Sequence, residues 1–420
     1  MPVQIVNPVG AEEITAWASS MSVTFLGDPR DADVPRRHAM LRSLWDPGRA
    51  WGARDGDRWV ATLRTEPRTL TVPGPGTTTA LVDIDAVTNV TVAATHTRRG
   101  LLREMLGASL AAAHARGDVL SALIAAEWPI YGRFGYAPAT LSADYTLRRM
   151  LPGSRVAGEP GRVRPVQRDE FARVAPAVFA AARRHRAGQI DRAGTWYGRQ
   201  LGEGEFAPSP SLPVNLMVHD GDDGPDGVLG WTPEPGGHFS LIPPFLPLAA
   251  SWFSAATDRA YRDLWAYLTA IDLVSEITLK DRPVDEPVRW LLPDARTLVT
   301  TELNDFLWIR LLDVPGALSA RGYATAGELV IDVQDEDVGG ATSGRYRVQA
   351  AEDGSGACER TPAAPDLTLG QRTLASLYLG AFTPAQLRLA GQIGEHVPGA
   401  VNRLTAMFAT PLAPWCGTWF

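Results

Sequence analysis

Three short stretches hold the residue types that could do chemistry. The first, AVTNVTVAATHTRRGLLREMLG (86–107), closes a β-branched run near Ala94 and passes through His96, Arg98 and Arg99 to Gly100, where an apolar-periodic segment begins. A helix start carries unsatisfied N–H groups and a partial positive charge, so this spacing favours an anion, commonly a phosphate. Arg98, Arg99 and Arg103 add formal charge, and Gly100, with no Cβ, would let a pyrophosphate approach the backbone. The competing reading is a plain solvated helix start beside an Arg pair. The second stretch, IYGRFGYAPAT (130–140), presents Tyr131, whose phenol keeps its proton at neutral pH and can give it to a leaving group. A packing aromatic in a Gly-rich turn is the alternative, and is the reading for Phe134 and Tyr136. The third, PWCGTWF (414–420), sets Trp419 and Phe420 at a chain end, where frayed polar residues are usual. Such a tail either anchors the terminal carboxylate, or packs against the protein or within an oligomer interface.

Other chemistries find less footing. The first stretch carries neither the Lys-Ser/Thr of a P-loop nor G-x-G-x-x-G. His38, His96, His114, His185, His219, His238 and His396 show no metal-ligand spacing with one another or with Cys358 and Cys416, so no metal is expected. Two cysteines in 420 residues make no disulfide framework, and no Gly-x-Ser-x-Gly elbow is present. A net charge of −7 disfavours nucleic acid and suits cationic partners. The N-terminus lacks the basic and apolar regions of a secretory signal, and no run reaches 18 apolar residues, so a soluble, cytoplasmic protein without membrane contact is expected.

The elements that must position these residues form an α+β pattern. RWVATLRTEPRTLTV and AVTNVTVAA read as strands, and GLLREMLGASLAAAHARG as a helix with Leu101, Leu102, Met105, Leu106, Leu110 and Ala113 near one face and Gly117 at its stop. VLSALIAA and LSADYTLRRM read as further strands. The Gly/Pro-rich LPGSRVAGEPGR (151–162) marks a boundary, which gives domains at 1–150, 151–312 and 313–420. The middle segment alternates helices (DEFARVAPAVFAAARRH, TDRAYRDLWAYLTAI) with strands (VNLMVH, LWIRLL). The last runs from VPGALSARGY through strands GELVIDV and GRYRVQA to three short helices.

VTVAATHTRRGLLREML looks like the acetyl-CoA-binding strand–loop–helix of the GCN5-related N-acetyltransferases (GNAT), with Gly100 matching the central glycine of Gln/Arg-x-x-Gly-x-Gly/Ala while Thr97 and Leu102 depart from the flanking positions. Together with IYGRFGYAPAT and LASLYLG (374–380), it resembles the enhanced-intracellular-survival (Eis) family over the whole chain. The resemblance implies two GNAT-like domains, each a mixed central sheet flanked by helices, and a C-terminal sterol-carrier-protein-like α+β domain. It further implies that Val90, Thr91 and Val92 pair with the pantetheine of acetyl-CoA. Arg98, Arg99, Gly100, Leu101, Leu102 and Arg103 would hold the pyrophosphate, and Ala126 and Glu127 would line the other side.

In that family Tyr131 would be the general acid. The carboxylate of Phe420 would return to the first domain as general base, in preference to Asp83, Asp85 or Glu127. Direct transfer fits better than a covalent acyl-enzyme. Asp28, Trp45, Asn89 and Trp419 are candidate substrate contacts, with surface and core readings open for Asp28 and Trp45. The implied acceptor is an amine of a cationic small molecule such as an aminoglycoside, and the implied assembly is a homohexamer. A protein-lysine acetyltransferase and a non-enzymatic lipid- or partner-binding protein are the other readings.

Overall fold

The computed structural model describes residues 3–28, 34–192, 196–202, 212–234, 246–335 and 341–420, with the side chains of 35–37 excepted; His238 lies outside them. Three sheets organise the chain. In space, the first runs in the order Gln4–Val6, Ala50–Asp55, Arg58–Pro73, Thr79–Val92, Leu120–Ile124, Leu307–Leu311 and Ala137–Pro138. The second runs Leu298–Asp305, Leu141–Arg148, Val274–Arg282, Leu246–Ala255, Gly224–Pro233, Asn215–Gly221 and Val163–Pro165. The third has five strands, Gly356–Arg360, Gly344–Ala350, Gly327–Gln334, Leu367–Gly370 and Ile393–Glu395.

Sheet membership does not follow the expected cut at 150. Leu141–Arg148 leaves the first sheet and lies between Val274–Arg282 and Leu298–Asp305 of the second. Leu307–Leu311 makes the opposite journey, joining Leu120–Ile124 and Ala137–Pro138. The crossing is sealed at Thr140, whose carbonyl accepts from Phe306 N at 3.1 Å and whose Oγ1 accepts from Leu307 N at 3.0 Å. Each strand has the alternating or continuous apolar pattern its new sheet needs, so local sequence is satisfied in either place.

The helix Leu101–Ala115 forms where the periodicity predicts. It buries Leu101, Met105, Leu106, Leu110 and Ala113 against the first sheet, and Leu102 is half-buried. Full burial of such side chains contributes about 1.5–3 kcal/mol each. The opposite face of that sheet (Leu70, Val72, Ile84, Leu120) shares one core with the third sheet and with the helix Gln371–Tyr378. The first sheet is therefore clamped between its own helix and the C-terminal domain.

Candidate active site

Two strands diverge beneath the predicted anion site. Thr79–Val92 and Leu120–Ile124 run parallel and pair only from Ile84↔Leu120 to Ala86↔Ala122, although both continue further. Beyond Ala86 the backbone of Thr88–Val92 parts from its neighbour. On the other side a bulge falls opposite Leu63, where the register against Arg58–Pro73 slips. The extra residue is Asn89, with φ 55°. This left-handed conformation is one that Asn tolerates better than most residues. Thr62 Oγ1 donates to the Asn89 carbonyl at 2.8 Å, and Arg64 Nε donates to Asn89 Oδ1 at 3.0 Å. Arg64 is itself paired with the buried Glu66, which also meets Arg68. Burial works to raise the Glu66 pKa, but Arg64, Arg68 and the nearby Arg199 overcome it and hold the carboxyl at about 2. The Asn89 side chain is thus committed to holding the strand's shape.

The first strand ends in a short turn, Ala94–His96, ahead of the helix. His96 is buried and shapes this loop: Nε2 meets Asp55 Oδ2 at 3.1 Å and Nδ1 meets Thr95 Oγ1 at 2.8 Å. Gly100 precedes the helix at φ 80°, and open space lies where a Cβ would sit. No side chain caps the helix start, while Arg98, Arg99 and Arg103 are exposed around it. Free N–H groups, the helix dipole and three cations therefore converge on one exposed spot. Val90 and Val92 are half-buried and Thr91 is buried, its hydroxyl against Thr62 Oγ1 at 2.6 Å. Ala126 and Glu127 are exposed just past the second strand.

Tyr131 lies in the turn that follows, at the end of the short helix Trp128–Tyr131, and is 7% exposed. Burial, with the charge of Glu127 adding to it, pushes its phenol up to about 12, so it is protonated at neutral pH. Tyr136, fully buried behind it at 6.3 Å between rings, is bound to Ser121 Oγ at 2.6 Å and packs with Phe134 in one core. Gly135 is required here: its φ is 76°, and a Cβ would meet Arg310 Nη1 at 1.9 Å. Arg310 donates to the Phe134 carbonyl and, at 3.0 Å, to Asp335 of the C-terminal domain, so the turn is braced from two sides. Asp85 is removed from the surface altogether; it accepts from Arg49 at 2.5 Å and Arg116 at 2.9 Å. Burial pushes its carboxyl up to about 6 against those two arginines.

The tail reaches this region. Thr88 Oγ1, on the diverging strand, donates to the main-chain oxygen of Phe420 at 3.2 Å. Phe420 is half-buried against the core shared by the first and third sheets. Behind it, Thr418 is fully buried and donates to the Ile190 carbonyl at 3.2 Å, while Arg192 donates to Thr418 Oγ1 and the Gly417 carbonyl, both at 3.3 Å. Trp419 is 59% exposed, stacks edge-on against Phe306 at 5.0 Å, and takes a hydrogen bond from Trp196 Nε1 on its carbonyl at 3.3 Å. Thr88, Arg192 and Trp196 were missed by the sequence reading. Nothing near them in sequence signals a role, because their partner is up to 332 positions away.

The other two candidates stand apart from this cluster. Trp45 packs edge-on against Trp17 at 5.1 Å and donates to the Val9 carbonyl at 2.8 Å, within a small N-terminal core. Asp28 is exposed beyond the helix Ile14–Thr24.

Comparison with known proteins decides the family. An acetyltransferase (GNAT) domain matches residues 6–139, a second matches 188–311, and a sterol carrier protein domain matches 314–417. The N-acetyltransferase Eis of Mycobacterium tuberculosis is 31% identical over 415 residues, covering 96% of this chain and 91% of that protein. The chain belongs to the Eis family of GNAT N-acetyltransferases. An N-acetyltransferase of Streptomyces avermitilis is 35% identical over 422 residues, covering 99% of this chain and 98% of its own length. The crystal structure of Eis1 from Mycobacterium abscessus superposes with a TM-score of 0.83 at 29% identity, with both chains fully covered.

This Eis-family chain is an acetyltransferase, and its fold implies acetyl-CoA as acyl donor. The donor set of the first domain fits that molecule: diverging strands for an amide-bearing arm, and an uncapped helix start with exposed arginines for phosphates. No helix of the described residues is long and apolar enough to cross a membrane.

Proposed function

We propose that this enzyme acetylates an amine of a cationic small molecule, aminoglycoside-like in character, by direct transfer. The Phe420 carboxylate acts as base and Tyr131 as acid. The observation that carries this reading is the Thr88–Phe420 hydrogen bond, with a tail oxygen held on the diverging strand itself. Val90, Thr91 and Val92 bind the pantetheine, Arg98 to Arg103 the pyrophosphate, and Ala126 and Glu127 flank the arm. The donor supplies an activated acetyl thioester. Within the site, the Phe420 carboxylate takes a proton from the attacking nitrogen as the new C–N bond forms. Tyr131 gives its proton to sulfur as the C–S bond breaks, and regains one from solvent. A phenol held at about 12 keeps its proton until the leaving group calls for it.

A cationic acceptor is supported by the net charge of −7. Asn89, whose side chain is committed to Arg64, contributes through the strand's shape rather than direct contact, and Trp45 lies in the N-terminal core away from this cluster. The test is thiol release from acetyl-CoA with aminoglycosides, polyamines, lysine peptides and no acceptor. Turnover confined to lysine peptides would move the enzyme to the protein-modifying class. Removing Phe420 should abolish transfer while acetyl-CoA binding is retained, and full activity of that truncation would overturn the base assignment.

A further inference from the structure

The second GNAT domain repeats the frame of the first and uses it differently. Leu246–Ala255, the helix Asp258–Ala270 and Val274–Arg282 correspond to the diverging strand, helix and second strand described above. The two strands are again parallel and again part early, after Ala250↔Leu279. A left-handed residue again lies three positions before the first strand's end: Trp252, φ 55°, beside a register slip like that at Asn89.

The helix start, however, is closed. Thr257 accepts from Ala260 N at 3.1 Å as a cap, and its hydroxyl donates to Asp226 at 2.6 Å. Asp258 stands at the first helical position, and the first domain's helix begins with Leu101 after the uncapped Gly100. A phosphate there would meet a backbone donor already satisfied by the cap.

The wedge between the strands instead meets the chain's own tail. Arg282, at the end of the second strand, lies over the Phe253 ring at 4.8 Å on one side of the gap and over the Trp415 ring at 5.2 Å. Asp281 holds both tail tryptophans. Its carbonyl accepts from Trp415 Nε1 at 2.7 Å, and its Oδ2 accepts from Trp419 Nε1 at 3.0 Å. Asp281 has φ 52° and is fixed in turn by Asp144 Oδ1, which accepts its N–H at 2.9 Å. Farther up the tail, Ala413 N donates to Asp285 Oδ2 at 2.9 Å and the Ala413 carbonyl accepts from Arg186 at 2.8 Å.

We infer that the second domain's strand gap is a receptor for the chain's own C-terminal segment, and that Asp281 is the positioning residue that sets where Phe420 lies. The part of this inference that concerns turnover rests on the Phe420 base reading; the receptor itself does not.

The experiment separates the two. Tail release is measured as carboxypeptidase liberation of Phe420 followed by mass spectrometry, and turnover as kcat and KM for acetyl-CoA. Asp281→Ala removes the acceptor of Trp419 and strains a left-handed position; Asp281→Asn keeps an acceptor and tolerates that conformation. Trp419→Phe removes the indole donor while keeping an aromatic ring on an exposed side chain, so folding is not at issue. Losing one such hydrogen bond should speed Phe420 release and lower kcat each on the order of ten-fold in Asp281→Ala and Trp419→Phe. KM for acetyl-CoA should change less than about two-fold, since the coenzyme groups are untouched. Asp281→Asn should restore most of both readouts, and Asp281→Ala should cost nothing further once Phe420 is removed. Wild-type protection of the tail in both Asp281→Ala and Trp419→Phe would overturn the receptor. Faster release with unchanged kcat would uphold the receptor and refute the carboxylate as base.

Discussion

Glu66→Gln tests whether buried charge holds the coenzyme strand in shape. The side chain is 7% exposed between Arg64 and Arg68, and its carboxyl lies near 2 against an ordinary 4.5. A depression of about 2.5 units corresponds to about 3 kcal/mol of stability at pH 7. Gln keeps the volume and loses the charge, leaving two arginines without their counter-ion, for which a cost of about 3–5 kcal/mol is usual. The sign follows from linkage. The folded pKa is below the unfolded one, so the contribution is complete above about 4.5 and fades as pH falls towards 2; near pH 3.5 about 2 kcal/mol remains.

A three-domain chain need not unfold in one step, so the assay must be local. Hydrogen exchange of the Arg58–Pro73 and Thr79–Val92 strands, measured for both proteins at pH 7 and pH 5, should show the same deficit of about 3 kcal/mol in the variant at each pH. The same exchange measurement carried down to pH 3.5 should show the gap narrowing to about 2 kcal/mol. Because Arg64 also holds Asn89, acetyl-CoA affinity should fall with it. A variant within about 0.5 kcal/mol of wild type at pH 7, the scatter of ordinary surface changes, would refute the reasoning. A deficit that does not shrink in acid would assign the effect to packing instead.

Three further outcomes follow from the same geometry. With the Tyr131 phenol near 12, kcat should show no falling limb below about pH 10; a loss of rate centred near pH 9 would mean that its proton leaves far more easily than its buried surroundings allow. Gly100→Ala meets no neighbour but is forced to φ 80°, a cost of about 1 kcal/mol or more; KM for acetyl-CoA should rise about five-fold with kcat little changed, and an unchanged KM would remove the helix start from the binding site. If the homohexamer implied by the family holds, light scattering should return six times the 45.3 kDa chain mass, and a monomer would refute it.

The strand–turn–helix around Gly100 was legible because each of its signals is local: β-branched residues, then a Gly that takes positive φ, then apolar periodicity. The aromatic tail was legible as an anomaly. What the tail touches was not, since Thr88, Arg192 and Asp281 carry no local mark of their partners. Asn89 reads as a polar side chain available to substrate, and only the bulge explains why it turns to Arg64 instead. The exchange of Leu141–Arg148 and Leu307–Leu311 between sheets was hidden for a related reason. Strand periodicity states which face is buried and says nothing about which neighbour buries it.

That exchange also explains how a tail anchored on one domain can locate an atom on another. Asp144, which fixes Asp281, lies on the strand that has just left the Tyr131 turn. Phe306, against which Trp419 stacks, immediately precedes the strand that returns to the first sheet. The two crossing segments are hydrogen-bonded to each other at Thr140. Any sliding between the two sheets would therefore have to break main-chain hydrogen bonds that neither sheet can replace. Two separate domains joined by a loop, with an interface of polar contacts, would be expected to move relative to one another. Here each crossing strand pairs within one sheet while the chain leading into it comes from the other, so the two sheets are tied by chain crossings as well as by docking. The base role proposed for Phe420 would need that constraint, because the entropy of an unheld terminus would otherwise spread its carboxylate over many positions.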